Sequence, residues 1–187
     1  MAGHAPFTQA EIDALVAKLQ TYKYVVSVGS DVLGPLKSAP KFEPDVETKE
    51  IKLYETGAEP MGEVVTKNNG KLTVELEDMD KAMELSVALK KGDNIFDSAK
   101  RKVITLQPIT SDTNAKTITF PNAYIRPGFK PNFEDEDNPN YATLEYTCKP
   151  YVGGSGGAVV SGAVVGLPFF YDGIVTSGGT VTNGAEE

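Results

Sequence analysis

Gly153-Gly154-Ser155-Gly156-Gly157 has the spacing of a nucleophile elbow, in which a sharp strand-to-helix turn lifts a serine hydroxyl toward a histidine base oriented by a carboxylate. Its surroundings do not support that chemistry. No helical periodicity follows Ser155, and the single histidine, His4, stands beside the N-terminus, so the glycine run reads as a flexible linker. Glu134-Asp135-Glu136-Asp137 offers carboxylate oxygens to a hard cation, but it lacks the sixth-position glycine and terminal glutamate of a calcium loop and reads as a solvated acidic loop. Cys148 falls on the apolar side of an alternating run, with no basic neighbour indicated to lower its pKa, and reads as a small core residue. Asn69-Gly70-Lys71 lacks the upstream glycine and following Ser/Thr of a phosphate loop, which leaves a turn. Glycoside hydrolysis needs two carboxylates set apart from the others, and the chain has no Trp to form a sugar platform. The expectation is therefore no catalytic residue, no metal ligand and no cofactor.

Composition narrows the classes further. With 26 Asp and Glu against 18 Lys and Arg, the 187-residue chain carries a formal net charge of -8, which disfavours clamping nucleic acid through its phosphates. One Cys and one His exclude a His/Cys zinc site, a disulfide framework and an intramolecular redox pair. An apolar share of 40% is enough for a real core, and the length suits one domain plus an extension. Residues 1–20 lack the basic and apolar regions of a secretory signal, and glycines, Ser155, Ser161 and Pro168 interrupt the weakly charged run Tyr151 to Tyr171, so no membrane span is expected.

The elements that must position these residues are mostly strands. Thr8 and Glu11 have capping-box spacing ahead of Ile12, Leu15, Val16 and Leu19, which share one face of a short N-terminal docking helix. Tyr22 to Val28 alternates as a first strand, whereas Lys41 to Pro60 is charged and weakly patterned and reads as a long loop or arm ending in a strand near Ile51 and Leu53. Gly62 to Lys67 and Lys71 to Glu77 flank Asn68-Asn69-Gly70, predicting a hairpin with a three-residue turn. In its second half Leu72, Val74 and Leu76 face a core while Lys71, Thr73, Glu75 and Glu77 face water.

Asp78 or Asp80 caps a helix through Met83, Val87 and Leu89, with Lys90 and Lys91 in the last turn and Gly92 ending it. Strands follow at Lys102 to Ile109, Lys116 to Phe120 and Ala142 to Cys148, with Pro121 to Asn140 an extended surface loop. No Lys or Arg occurs after Lys149, and the apolar, uncharged run Ala158 to Val165 needs a sheet edge to pair with, in its own subunit or a neighbour. This predicts a body at 1–150 and a Gly-rich extension at 151–187 packing on the same or a neighbouring subunit.

A β-rich domain with one internal helix, long charged loops and an edge-seeking segment has the profile of an assembly subunit. The order of its pieces resembles the tail tube (major tail) proteins of long-tailed bacteriophages. Val32-Leu33-Gly34 follows the first strand, the charged arm enters Ile51-Lys52-Leu53-Tyr54-Glu55-Thr56-Gly57, and Lys71 to Asp78 leads into the helix. Lys102 to Pro108, Asn122-Ala123-Tyr124 and the closing Tyr141 to Tyr146 complete the likeness, over roughly residues 22 to 149. It implies a mainly β sandwich or barrel-like subunit that closes into hexameric rings, which stack head to tail as a tube through which genome and measuring protein pass to the bacterial host. Partners would be further copies of the chain and the tape-measure, terminator and distal tail proteins. The subunit would assemble in the host cytoplasm and reside in the virion.

The long arm would bridge successive rings through Glu43, Asp45, Glu47, Lys49 and Glu50. Glu75, Glu77 and Glu145, on polar strand faces, would line the lumen, where carboxylates repel phosphate and let DNA slide without specific binding. Two other roles suit an acidic, inactive β protein: a capsid decoration protein, and a carbohydrate-binding or adhesive β-sandwich.

Overall fold

The computed structural model describes residues 8, 23–52, 62–87, 90–110, 115–134, 138–152, 159–161, 166–171 and 174–176. The expected N-terminal helix, the glycine run around Ser155, His4, and Asp135 to Asp137 lie outside them. The described chain is mainly β. Strands β1 (Tyr24–Val28), β2 (Asp31–Val32), β3 (Lys41–Ile51), β4 (Gly62–Leu76), β5 (Lys102–Pro108), β6 (Ile118–Ile125), β7 (Pro131–Asn132) and β8 (Tyr141–Cys148) accompany one α-helix, α1 (Met79–Val87). After them come β9 (Val159–Ser161), β10 (Phe170–Tyr171) and β11 (Ile174–Thr176).

All pairings are antiparallel, in the order β2-β1-β5-β6-β8-β4-β3, with β10 on β6 and β7 on β8. The two sides of this sheet are tied together by one short segment. Leu33 N–H donates to the Val26 carbonyl at 2.8 Å, while Lys37 N–H donates to the Glu75 carbonyl and Glu77 N–H to the Pro35 carbonyl, both at 3.0 Å. The chain from Asp31 to Lys37 thus bonds first to β1 and then to β4, which gives a curled, barrel-like wall. Its inner face carries Val26, Val28, Leu72, Val74, Leu76, Ile104, Leu106, Phe120, Ala123, Ala142, Leu144, Tyr146 and Cys148, all buried. Removing each such aliphatic side chain from water contributes about 1.5–3 kcal/mol.

Three expectations about the strands are corrected. Lys41 to Ile51 is a strand along its whole length, because β4 supplies a continuous partner where the sequence shows no periodicity. Asn68-Asn69-Gly70 is no turn: it lies inside the 15-residue β4, opposite Val46, Asp45 and Pro44. Pro121 does not begin a loop, since β6 runs on to Ile125. The register slips between Lys102 and Ile104, opposite Ala123 and Phe120, and that irregularity absorbs a proline that has no N–H for the ladder.

Helix α1 is capped by Asp78, whose Oδ1 accepts from Lys81 N–H at 3.0 Å, and it packs through Met79, Ala82, Leu85 and Ser86, with Met83 exposed. Small residues let it sit close to the wall. Lys90 belongs to a following turn, where Asp93 N–H donates to its carbonyl, so it is not in the last helical turn.

Candidate functional site

β3 and β4 form the longest pairing in the molecule, from Lys41 opposite Thr73 to Ile51 opposite Gly62. β8 covers β4 only as far as Gly70, which pairs with Cys148. Beyond that point Val46–Ile51 and Gly62–Asn69 pair only with each other among the described residues, and they leave the body as a two-stranded arm of roughly 20 Å. Nearly all of it is exposed, including Val46, Ile51, Val64 and Val65. The outer edge of β3 has no strand beside it among the described residues, nor has the far edge of Gly62–Asn69.

The arm and its base carry charge of both signs: Glu43, Asp45, Glu47, Glu50 and Glu63 alternate with Lys41, Lys49, Lys52, Lys67 and Lys71, and Glu55 and Glu59 stand in the sequence between β3 and β4. Lys67 Nζ reaches Glu47 Oε1 at 2.7 Å and Asp45 Oδ2 at 3.0 Å, and these contacts hold its pKa above the ordinary lysine value, Glu47 first and Asp45 second. Lys52 pairs with Glu50 at 3.0 Å. Glu47 opposite Lys67 gives way to Thr48 opposite Val65, leaving Thr66 as the extra residue of a bulge, and its hydroxyl donates to the Glu47 carbonyl at 3.2 Å. A bulge and lysines are the usual protections of an open edge.

The base of the arm is locked by an aromatic cluster. The Phe42 ring lies against Gly70, where a Cβ would come within 2.2 Å of its Cε2 and Cζ atoms. The same ring stands 5.2 Å from both Phe120 and Phe169. Asn68 Nδ2 donates to the Gly166 carbonyl at 2.8 Å, so residues 166–171 close over this base, with β10 pairing Phe170 to Thr119 of β6.

On the outer face of β4 and β8, the three glutamates expected along a lumen have different surroundings. Glu145 Oε1 accepts from Lys130 Nζ at 2.8 Å and Lys71 Nζ at 3.1 Å. The Lys130 contact holds its carboxyl below the usual range, partial burial opposes this, and Lys71 adds to it. Its negative charge is therefore compensated twice. Glu75, opposite Thr143, and Glu77, just past the end of β4, have no ion-pair partner among the described residues. Of the residues expected to bridge rings, Glu43, Asp45, Glu47, Lys49 and Glu50 all sit on β3.

Sequence reading missed a second feature. Lys149 Nζ lies 3.4 Å from the centroid of Phe96 and 5.8 Å from that of Tyr124, whose rings meet edge to face. Asn122 accepts from Arg101 and donates to the Pro150 carbonyl at 2.7 Å, pinning the start of the extension to β6. Separations from 21 residues (Arg101 to Asn122) to 53 (Phe96 to Lys149) hide such contacts from any local pattern. Cys148 is fully buried, and burial pushes its thiol up to about 12. No group of three His, Cys, Asp or Glu with metal-binding geometry occurs among the described residues.

No protein-family model matches the chain, and no curated protein matches it. Several solved structures are similar to it. A chain of the sheath–tube complex of an extracellular contractile injection system, PVC, in the extended state aligns at 16% identity with a TM-score of 0.48, over 76% of this chain and 93% of that one. The anti-feeding prophage cap, which terminates the AFP tube, aligns at 11% identity and a TM-score of 0.48, over 93% and 95%. The PVC sheath/tube terminator in the extended state aligns at 16% and 0.45, over 69% and 89%. Likeness of fold does not by itself carry function.

Proposed function

We propose that this chain is a structural subunit of a tail tube, closing into rings, hexameric by the sequence resemblance, that stack into a conduit for genome delivery. The arm carries the reading. A two-stranded hairpin with no core beneath it is marginal in water, and open strand edges are templates for another chain. A second copy supplies what the arm lacks. Because the arm meets a different surface on its neighbour, the contact is heterologous, and such contacts generate rings or open helical tubes.

In this assembly Glu43, Asp45, Glu47, Lys49 and Glu50 bridge rings, and Glu75 and Glu77 supply the uncompensated charge that keeps DNA from adhering to the lumen. Glu145 contributes little repulsion there, given its two lysines. Tape-measure, terminator and distal tail proteins are the further partners, and DNA passes without specific binding.

Electron microscopy of the purified full chain tests this. Rings or hollow tubes are expected, and lengthening or loss of the tubes should track substitutions of Val64 and Val65 on the arm. Monodisperse protein at high concentration, capsid-bound trimers, or monomers retained by glycans would overturn it.

A further inference from the structure

Two surfaces of opposite charge lie toward opposite ends of β8. Over residues 90–102 Lys and Arg outnumber Asp by five to two, in a chain whose acids outnumber its bases 26 to 18. Arg101 donates to Asn122 Oδ1 at 3.3 Å, Lys102 stands opposite Ala123, and Ala123 stands opposite Cys148. Arg101, Lys102 and Lys149 therefore come together where β5, β6 and β8 lie side by side at the base of the arm. None of the three has a carboxylate partner among the described residues. Phe96, in contact with Lys149 and Tyr124, is the exposed apolar residue beside them. At the other end, Leu76 stands opposite Ala142, about 20 Å along β8 from Cys148, and α1 starts just beyond it. Asp80, Met83 and Glu84, at i, i+3 and i+4, share one exposed face of α1. Lys81 lies 3.5 Å from Asp31 and 3.0 Å from Glu84, whose side chains stay 61% and 69% exposed.

We infer that these surfaces are the two halves of one contact between copies of this chain, in which Phe96, Arg101, Lys102 and Lys149 of one copy receive Asp31, Asp80, Met83 and Glu84 of the next. Three features point to a second copy as the partner. The first is charge: unpaired cations on one surface face carboxylates that share a single lysine on the other, and such complementarity steers encounter and fixes register. The second is the apolar content. Each surface carries one large exposed apolar side chain flanked by charge, Met83 at 48% and Phe96 at 44%, and a thioether packs well against an aromatic ring. The third is position. No ion pair joins the two surfaces within one chain among the described residues, and a copy joined through one of them keeps the other free, so the contact propagates head to tail. Nucleic acid suits these cations less well, because the net charge of -8 repels phosphate. The contact rests on the association of copies proposed for this chain and gives it a direction: the end that bears the arm meets the α1 end of the next copy.

Charge reversal with complementation tests it, read by sedimentation velocity of the full chain over a range of concentrations. One variant carries Arg101→Glu and Lys102→Glu, the other Asp80→Lys and Glu84→Lys. Each alone presents like charge at both halves of the contact and should need at least about tenfold more protein than wild type to assemble, whereas their equimolar mixture, in which opposite charges meet again at every contact, should return to within about threefold of wild type. The lysine variant also lowers the net negative charge, so repulsion between whole molecules predicts that it assembles more readily than wild type and the specific contact predicts the reverse. Either variant assembling as wild type does, or a mixture that does not recover, overturns the contact. So does duplex DNA that binds wild type and not the Arg101→Glu, Lys102→Glu variant while that variant assembles normally. Wild type that stays monomeric refutes the association of copies and the contact with it; wild type that assembles beside unaffected variants refutes this contact alone. Circular dichroism checks that both variants fold. Asp80 and Glu84 are exposed, so should Arg101→Glu disturb the fold, the lysine variant decides alone: poorer assembly than wild type supports the contact, and equal or better assembly overturns it.

Discussion

Replacing Gly70 by alanine distinguishes a turn glycine from one that makes room for a ring. In the structure Gly70 is a buried strand residue paired with Pro44 and Cys148, and the added methyl would lie 2.2 Å from two atoms of Phe42. Such a separation does not occur, so the ring must move. It has little freedom to do so, because Phe120 and Phe169 hold it at 5.2 Å on two sides. Displacing it forfeits up to two aromatic contacts of about 0.5–1.5 kcal/mol each and adds overpacking of about 1–3 kcal/mol. Alanine returns about 0.5–1 kcal/mol through lower backbone entropy and better strand propensity.

The balance is a loss of about 1–5 kcal/mol, read as a fall in the urea midpoint with an unchanged slope. The informative measurement is the double-mutant cycle with Phe42→Leu. In that background Gly70→Ala should be neutral or stabilising, giving a coupling of about 1–5 kcal/mol. If Gly70→Ala costs the same with and without the Phe42 ring, the glycine is required by the backbone and the steric reasoning fails.

Three further outcomes follow from single contacts. Glu145→Gln should lower stability at pH 7 by about 0.2–1 kcal/mol, since both lysine partners are about half exposed. Its folded pKa is depressed, so the contribution is present above the unfolded value of about 4.3 and disappears as pH falls through the folded pKa; urea midpoints of wild type and variant should converge as the pH is lowered through the acid range, and a gap that does not narrow contradicts the ion-pair origin. Lys149→Met keeps the aliphatic stem but removes the charge above Phe96, and should cost about 0.5–1 kcal/mol in thermal or urea melts, a cost absent in a Phe96→Leu background. Cys148, buried and with its thiol pushed up to about 12, should react with a thiol reagent at pH 8 only as the protein unfolds; stoichiometric labelling of the native chain would show that β8 is open.

Elements packed on one side were legible in the sequence. The alternation of β1, the second half of β4 and β8 follows from one face meeting the core and the other meeting water. β3 was illegible for the opposite reason: it is exposed along nearly its whole length, so no burial imposes a period of two on its charged residues. β6 is buried on both faces, which erases the alternation from the other side, and its proline and asparagine resemble loop residues until the bulge and the Asn122 hydrogen bonds are seen. Asn68-Asn69-Gly70 failed because local turn chemistry was outweighed by partners on two strands and by a ring 28 positions upstream. The polar face of β4 could be read residue by residue, but the neutralisation of Glu145 depends on Lys130, brought in by β7, which no spacing rule reaches.

Where the charge lies matters more for this molecule than its sum. β4 spans roughly 50 Å, from the arm at Gly62 to the start of α1. At the arm end Lys67 pairs with Asp45 and Glu47, beside exposed valines and backbone edges that are open among the described residues. At the other end Lys81 pairs with Asp31 at 3.5 Å and Glu84 at 3.0 Å, while Glu75, Glu77, Asp78 and Asp80 follow one another closely in sequence from the end of β4 into α1. Asp78 and Asp80 are favourable there because the amino end of α1 attracts negative charge. A chain with net charge -8 repels its own copies at long range, and that repulsion is reduced where carboxylates are paired with lysines, as around Lys67. In the proposed assembly this favours contact through the arm, whose strand edges are open among the described residues, over contact between two acidic ends.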